Sequence, residues 1–221
     1  MAEPARRWPV CGLYAITSGA PSAAALAERV AAWIAGGARV VQYRDKGRDI
    51  DRRMAEVEAL QGACRAGGVP LLINDDVALA TAVGADGVHL GRDDVDPAQA
   101  RAQLGAGALI GVSCYADLDR ARAAVAQGAD YVAFGRFFAS ATKPDAPPAP
   151  IEVLHAARVA LPVPIVAIGG ITPDNAPVLI AAGADLVAVI GGLSGADPAA
   201  RARAYAERFA ASAAASLPTG A

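Results

Sequence analysis

Polar residues are sparse in the strand-like parts of this chain, so the few that occur there carry information. Gln42, Arg44 and Lys46 are spaced by two and would share one face of an extended strand. Two cations aimed into a closed interior without a ligand would bear a heavy desolvation penalty, so this face suggests an anion site. The competing reading ends the strand before Arg44 and leaves both cations in solvent. Asp75, in Asn74-Asp75-Asp76, and Asp94, in Gly91-Arg92-Asp93-Asp94, follow neighbouring strands. One or two carboxylates, completed by water and a ligand phosphate, are the usual holders of Mg²⁺. Asp75 and Asp94 are therefore the candidate metal ligands, with a purely structural role as the alternative. Asp76 is better placed to cap a helix, and Asp93 to be plain surface.

The remaining groups narrow the chemistry. Of the two histidines, His155 falls in a helix, and His89 has no Cys or His partner at ligand spacing, which argues against zinc. Neither a Ser–His–Asp order nor a nucleophile elbow is present, and Cys114 suits a packed position better than a nucleophilic one. Two strand ends are glycine pairs, Gly169-Gly170 and Gly191-Gly192, which allow a ligand close to backbone N–H groups. Ser140 and Thr142 could add hydroxyls, and Lys143 a further cation, although a lone loop lysine is usually just solvated. These residues suggest two anion sites on one rim. One is cationic and metal-assisted and suits a diphosphate; the other is neutral and backbone-based and suits a monophosphate.

One recurring phrase indicates how these residues are positioned. Gly37-Ala38-Arg39, Gly84-Ala85-Asp86, Gly128-Ala129-Asp130 and Gly183-Ala184-Asp185 each end an Ala-rich helical stretch and precede a short, continuously apolar run. Glycine supplies the helix stop, and uninterrupted apolar runs mark parallel strands buried on both faces. Strands are predicted near 12–17, 38–45, 70–75, 87–91, 109–114, 131–137, 164–170 and 186–192. Helices are predicted near 22–35, 50–66, 76–82, 97–104, 117–127, 151–160, 174–182 and 197–213. Strand then helix, eight times, predicts a single (β/α)₈ TIM barrel with its core over about 12–211. A doubly wound sheet is the runner-up, but Thr17-Ser18-Gly19-Ala20-Pro21 lacks a dinucleotide fingerprint. The singled-out polar residues all follow strands, at the rim where such barrels hold their active sites.

Composition removes other classes. The 221 residues suit one domain, and the formal net charge of −2 comes from mixed signs, without the basic stripe a nucleic-acid binder needs. Three distant cysteines with no CxxC are expected to be reduced thiols in a cytoplasmic protein. No signal peptide or membrane-spanning run is expected. A homo-oligomer is compatible with the sequence.

Six motifs occur in order on the expected strand ends: Gln42-x-Arg44-x-Lys46, Asn74-Asp75, His89-x-Gly91-x-x-Asp94, Gly111-Val112-Ser113, Thr142-Lys143-Pro144 and Ile168-Gly169-Gly170-Ile171-Thr172. With them the chain resembles the thiamine-phosphate synthase family from about Leu13 to the last helix. The resemblance implies a Mg²⁺-dependent transferase joining a hydroxymethylpyrimidine diphosphate to a thiazole monophosphate, giving thiamine monophosphate and diphosphate. It implies that Gln42, Tyr43, Arg44, Asp45, Lys46, Asn74, Ser113 and Lys143 bind the pyrimidine diphosphate, with Arg44, Lys46, Ser113 and Lys143 serving catalysis. Asp75 and Asp94 would hold the metal. Ser140, Ala141, Thr142, Gly170, Ile190 and Gly191 would bind the thiazole phosphate. The chain departs from the family pattern at Arg92 (usually Gln), Tyr115 (often His), Arg136 (commonly Pro), Ser140 (usually Thr) and Gly191 (usually Ser). The alternatives are a thiazole tautomerase on the same barrel, needing no metal or diphosphate site, and a non-catalytic phosphate-ligand-binding paralogue.

Overall fold

In the computed structural model the described residues are Trp8, 11–139 and 147–215. Eight strands alternate with eight helices. The strands are β1 (Gly12–Ile16), β2 (Ala38–Tyr43), β3 (Leu71–Asn74), β4 (Gly87–Leu90), β5 (Leu109–Tyr115), β6 (Tyr131–Phe134), β7 (Ile165–Ile168) and β8 (Leu186–Val189). The helices are α1 (Ala23–Ala35), α2 (Ile50–Gly67), α3 (Val77–Val83), α4 (Pro97–Leu104), α5 (Leu118–Ala126), α6 (Glu152–Ala160), α7 (Ala176–Ala181) and α8 (Pro198–Ala215). All neighbouring strands pair in parallel, and β1 closes on β8. The doubly wound alternative is thereby excluded.

Alternation along each strand divides the apolar residues into two clusters. Outward residues such as Leu13, Val41, Ile73, Ile110 and Val187 pack under the helices with Trp33, Leu60 and Leu154. Inward residues, including Tyr14, Val40, Leu72, Leu109, Tyr131, Val166 and Leu186, fill the barrel itself. Trp8 stacks on Tyr131 at 4.0 Å and meets Tyr14 edge-on at 6.2 Å, adding to the inner cluster.

The repeated glycine phrase has a visible purpose. Gly37, Gly84, Gly128 and Gly183 all carry positive φ, from 61° to 110°, where the chain leaves a helix. In three of the four repeats the following aspartate then stitches a strand pair together at its N-terminal end. Asp86 accepts from the Leu71 N–H, Asp130 from Ile110 and Asp185 from Ile165, at 2.7–2.8 Å. Each of these aspartates also donates its own backbone N–H to the same residue's carbonyl. Arg101 and Arg158 pair with Asp130 and Asp185. Polar chemistry at this end serves stability.

At the opposite end four strands stop two or three residues short of the predicted limits: β2 at Tyr43, β6 at Phe134, β7 at Ile168 and β8 at Val189. Gly135 (φ 147°) and Gly169 (φ 106°) turn the chain out of the sheet, so the residues beyond them form the mouth. Asp76 caps α3 by accepting from the Leu79 N–H. Cys11, Cys64 and Cys114 are not in disulfides. No helix among the described residues is long and apolar enough to cross a membrane.

Candidate active site

The carboxyl ends of the strands surround a pocket of about 120 Å³, with Gln42, Arg44, Asn74, His89, Ser113 and Tyr115 among its lining residues. Gln42 and Arg44 both face it, although the strand ends at Tyr43, because the alternation of side chains carries one residue past the last pairing. The Arg44 N–H is held by the Thr17 hydroxyl at 2.8 Å, which fixes the turn.

The same alternation turns the side chains of two residues of the expected ligand set away from the pocket. Tyr43 is buried toward α2, where its hydroxyl donates to the Glu56 carboxylate. Asp45 is gripped by both terminal nitrogens of Arg52 on α2 and accepts from the Gly47 N–H. Arg52 chiefly holds the Asp45 carboxyl below its ordinary range. Neither side chain points into the pocket.

A chain of side-chain hydrogen bonds forms the polar part of the pocket's floor and walls. Gln42 Nε2 donates to Asn74 Oδ1 at 2.7 Å, and Tyr14 donates to Gln42 Oε1 at 3.0 Å. The Tyr14 and Tyr131 hydroxyls meet at 2.9 Å. His89 Nδ1 lies 2.8 Å from Tyr131 and Nε2 lies 2.9 Å from Ser113 Oγ. Gly111 makes this possible, since a Cβ there would lie 1.9 Å from the Tyr131 ring.

Asp75 and Asp94 come together at the β3 and β4 ends. Lys46 reaches across from β2 to pair with Asp75. Burial works to raise the Asp75 carboxyl, but hydrogen bonds from Lys46 and Asp94 outweigh it and hold it below its ordinary range. Burial, joined by the facing Asp75 carboxylate, pushes the Asp94 carboxyl up against the opposing pull of the Gly91 N–H. Asp75 also holds φ 63°, in the left-handed region that non-glycine residues seldom adopt. Among the described residues no group of three or more His, Cys, Asp or Glu side chains is arranged around a single point. The acidic cluster is this pair.

A second pocket adjoins the first and shares Ile168, Gly169 and Ile190 with it. Gly170, Gly191 and Gly192 complete its glycine-rich wall. The glycines there serve different purposes. A Cβ at Gly169 would strike Arg136, one at Gly170 the Ala139 carbonyl, and one at Gly192 the Tyr205 hydroxyl. These three glycines let loops and helix α8 close on one another. Only Gly191 faces open space, with no atom within 4 Å of a built Cβ.

Ser140, Ala141, Thr142 and Lys143 lie outside the described residues. Cys114 is buried and its thiol donates to the Val112 carbonyl. Tyr115 and Arg136 line the first pocket, and Arg92 sits over the Tyr115 ring at 4.5 Å. Tyr14 and Tyr131 escaped the sequence reading because a buried tyrosine in a strand looks like core. The signal available was parity: Tyr14 lies two residues before Ile16, on the inward face.

A parallel barrel with its polar groups gathered at the carboxyl ends of the strands is the architecture of the (β/α)₈ enzymes, in which that rim carries the chemistry. Residues 13–193 match the thiamine monophosphate synthase family, and the chain belongs to that family. A thiamine-phosphate synthase from Azoarcus sp. is 56% identical over 200 residues, spanning 90% of this chain and 97% of that protein. One from Marinobacter nauticus is 55% identical over 203 residues, spanning 90% and 91%. The solved thiamine phosphate pyrophosphorylase from Pyrococcus furiosus superposes with a TM-score of 0.81 at 30% identity, covering 91% of this chain and 96% of that one.

Proposed function

We propose that this enzyme joins a hydroxymethylpyrimidine diphosphate to a thiazole monophosphate, forming thiamine monophosphate and releasing diphosphate. The observation that carries this reading is the pair of adjoining pockets on one rim. One has Gln42, Arg44, Asn74 and Ser113 in its wall, with Lys46, Asp75 and Asp94 grouped at the neighbouring strand ends; the other is walled by Gly170, Ile190 and Gly191. The pyrimidine takes the first pocket, with its diphosphate toward the cations and carboxylates. The thiazole phosphate takes the second. By family resemblance Lys143 joins the diphosphate side, and Ser140, Ala141 and Thr142 join the thiazole phosphate.

The bond from the methylene carbon to the diphosphate oxygen breaks, and its electron pair leaves with the diphosphate. The amino-substituted ring shares the positive charge left on that carbon, and the thiazole nitrogen then donates its lone pair to it. Arg44 and Lys46 are placed to stabilise the charge that develops on the leaving group. The adjoining pockets hold both rings within reach of one another. No protein nucleophile is required, and Cys114 is a poor one: burial pushes its thiol up to about 12.

Asp75 and Asp94 suit a hard divalent cation, and we assign them to Mg²⁺. They offer oxygen donors only, sit close enough to perturb one another, and include a residue in an unfavourable backbone conformation. When bound, Mg²⁺ supplies further neutralisation of the diphosphate charge. Phosphorylated substrates and free thiols suit a cytoplasmic setting.

The test is incubation with both substrates and Mg²⁺. Thiamine monophosphate and diphosphate should appear in equal amounts. Isomerisation of a thiazole phosphate without diphosphate release would establish the tautomerase alternative, and binding without turnover would establish a non-catalytic one.

A further inference from the structure

Arg52 stands where a helix does not favour a cation. It is the third residue of α2, in the first turn, at the positive end of the helix dipole. Its surroundings account for it. Nη1 donates to Asp45 Oδ2 at 3.0 Å and to Glu56 Oε1 at 2.7 Å, and Nη2 donates to Asp45 Oδ1 at 2.9 Å. Glu56 is buried, and its other oxygen accepts from the Tyr43 hydroxyl. An isolated ion pair on a half-exposed side chain contributes little, but a two-pronged grip shared between two carboxylates is the exception. Gly47 makes room for this grip: a Cβ there would lie 2.6 Å from Arg52 Nη2 and 2.7 Å from Asp45 Oδ1.

The grip matters to the site because side chains alternate. Tyr43 and Asp45 are held against α2, whereas Arg44 lines the pocket and Lys46 reaches Asp75. β2 ends at Tyr43, so both cations stand on chain that the sheet no longer fixes. The Arg44 N–H is tied to Thr17. Lys46, further out and largely exposed, lies between Asp45, which Arg52 holds, and Gly47, whose N–H donates to the same Asp45 carboxylate. We infer that Arg52 is a positioning residue for the diphosphate site: by gripping Asp45 it fixes the stretch of chain that carries Lys46, so that the ammonium group stands ready beside Asp75. A cation already in place loses less freedom on binding than one collected from solvent. The inference rests on the reading that the diphosphate binds beside Lys46.

The test is the affinity for inorganic diphosphate, measured by calorimetry in the presence of Mg²⁺, together with KM for each substrate. Asp45→Asn and Arg52→Gln break the same grip but change the charge in opposite senses. By field alone, Asp45→Asn would tighten diphosphate binding and Arg52→Gln would weaken it. Loss of positioning weakens binding in both. Each variant should lose about tenfold in diphosphate affinity, the scale of one charge-assisted hydrogen bond, and raise KM for the pyrimidine diphosphate to match, with KM for the thiazole phosphate unchanged. Parent-like or tighter binding in either overturns the inference. A merely structural grip would act whether or not Lys46 is present. In a Lys46→Ala background, therefore, Asp45→Asn should cost no more than about twofold in diphosphate affinity, and a full tenfold loss there also overturns the inference. If either grip variant does not fold, Gly47→Ala takes its place. It keeps every charge and meets only the ends of two side chains, so it should hold the parent's urea midpoint while wedging Arg52 off Asp45. Lys46→Ala by itself tests the underlying placement. If it binds diphosphate like the parent, the diphosphate lies elsewhere and the substrate placement fails. If it binds weakly and the grip variants do not, the placement stands and the role of Arg52 fails.

Discussion

Replacing Gly191 by serine adds a hydroxyl at the one glycine of the second pocket that faces open space. The change is sterically permitted: no atom lies within 4 Å of a built Cβ, and φ is outside the left-handed region. The new hydroxyl would donate to the thiazole phosphate. A hydrogen bond to a charged acceptor contributes about 1.5–3 kcal/mol. Gly191 is exposed, so the lower end applies, and about 1.5 kcal/mol corresponds to roughly tenfold tighter binding. Titration with thiazole phosphate measures the gain, and KM for the pyrimidine diphosphate, bound in the other pocket, should stay constant. Arg136 is the competing donor, because it packs on Gly169 between the two pockets. If it already contacts the phosphate, the serine effect should be larger in the Arg136→Pro background than alone. Unchanged or weaker thiazole phosphate binding by a folded Gly191→Ser protein would refute the placement of the monophosphate at the β8 end.

Three further outcomes separate catalysis from architecture. Asp75→Asn and Asp94→Asn should each fold and lose on the order of 10²-fold in Mg²⁺-dependent turnover, read by Mg²⁺ titration; full activity in both removes the metal assignment. Gly111→Ala puts a methyl 1.9 Å from the Tyr131 ring and should lower stability by about 1–3 kcal/mol while displacing His89 from Tyr131; a urea midpoint equal to the parent's contradicts the packing described. Asp130→Ala leaves the Ile110 N–H without its side-chain acceptor and breaks the Arg101 pair, so it should reduce the urea midpoint by an amount equivalent to about 1–3 kcal/mol. Its kcat/KM should match the parent's, because it acts at the opposite end of the barrel.

The barrel was legible because its signals are local. A glycine stop, an aspartate and an apolar run recur within a few residues, and each has a distinct physical cause in the structure. The strand limits were overextended where glycines and polar residues continue past the last ladder bond, since a sequence does not mark where pairing ends. At the site, the spacing of Gln42 and Arg44 correctly gave their shared face, whereas adjacency drew in Tyr43 and Asp45, which alternation turns toward α2. Gly169, Gly170 and Gly192 were legible as close approaches, but what approaches is protein. The Tyr14–Tyr131 contact spans 117 positions, and no local pattern announces a partner that distant.

The departures from the family pattern bear on whether the site is intact, and the structure changes how they should be weighed. Arg92 and Tyr115 read in sequence as two separate losses. In the fold they are one unit, a guanidinium 4.5 Å above a ring that lines the first pocket. Such a contact contributes about 0.5–1 kcal/mol at an exposed site. Gly191 removes a hydroxyl and leaves the surrounding backbone and pocket in place. The side chains that carry charge or polarity, namely Arg44, Lys46, Asp75, Asp94, Asn74 and Ser113, lie at one rim, with Lys46 paired to Asp75, Asp75 beside Asp94, Asn74 held by Gln42 and Ser113 by His89. Their grouping at one rim favours a working transferase over a binding remnant, and Arg92, Tyr115 and Gly191 lie at the edges of that group.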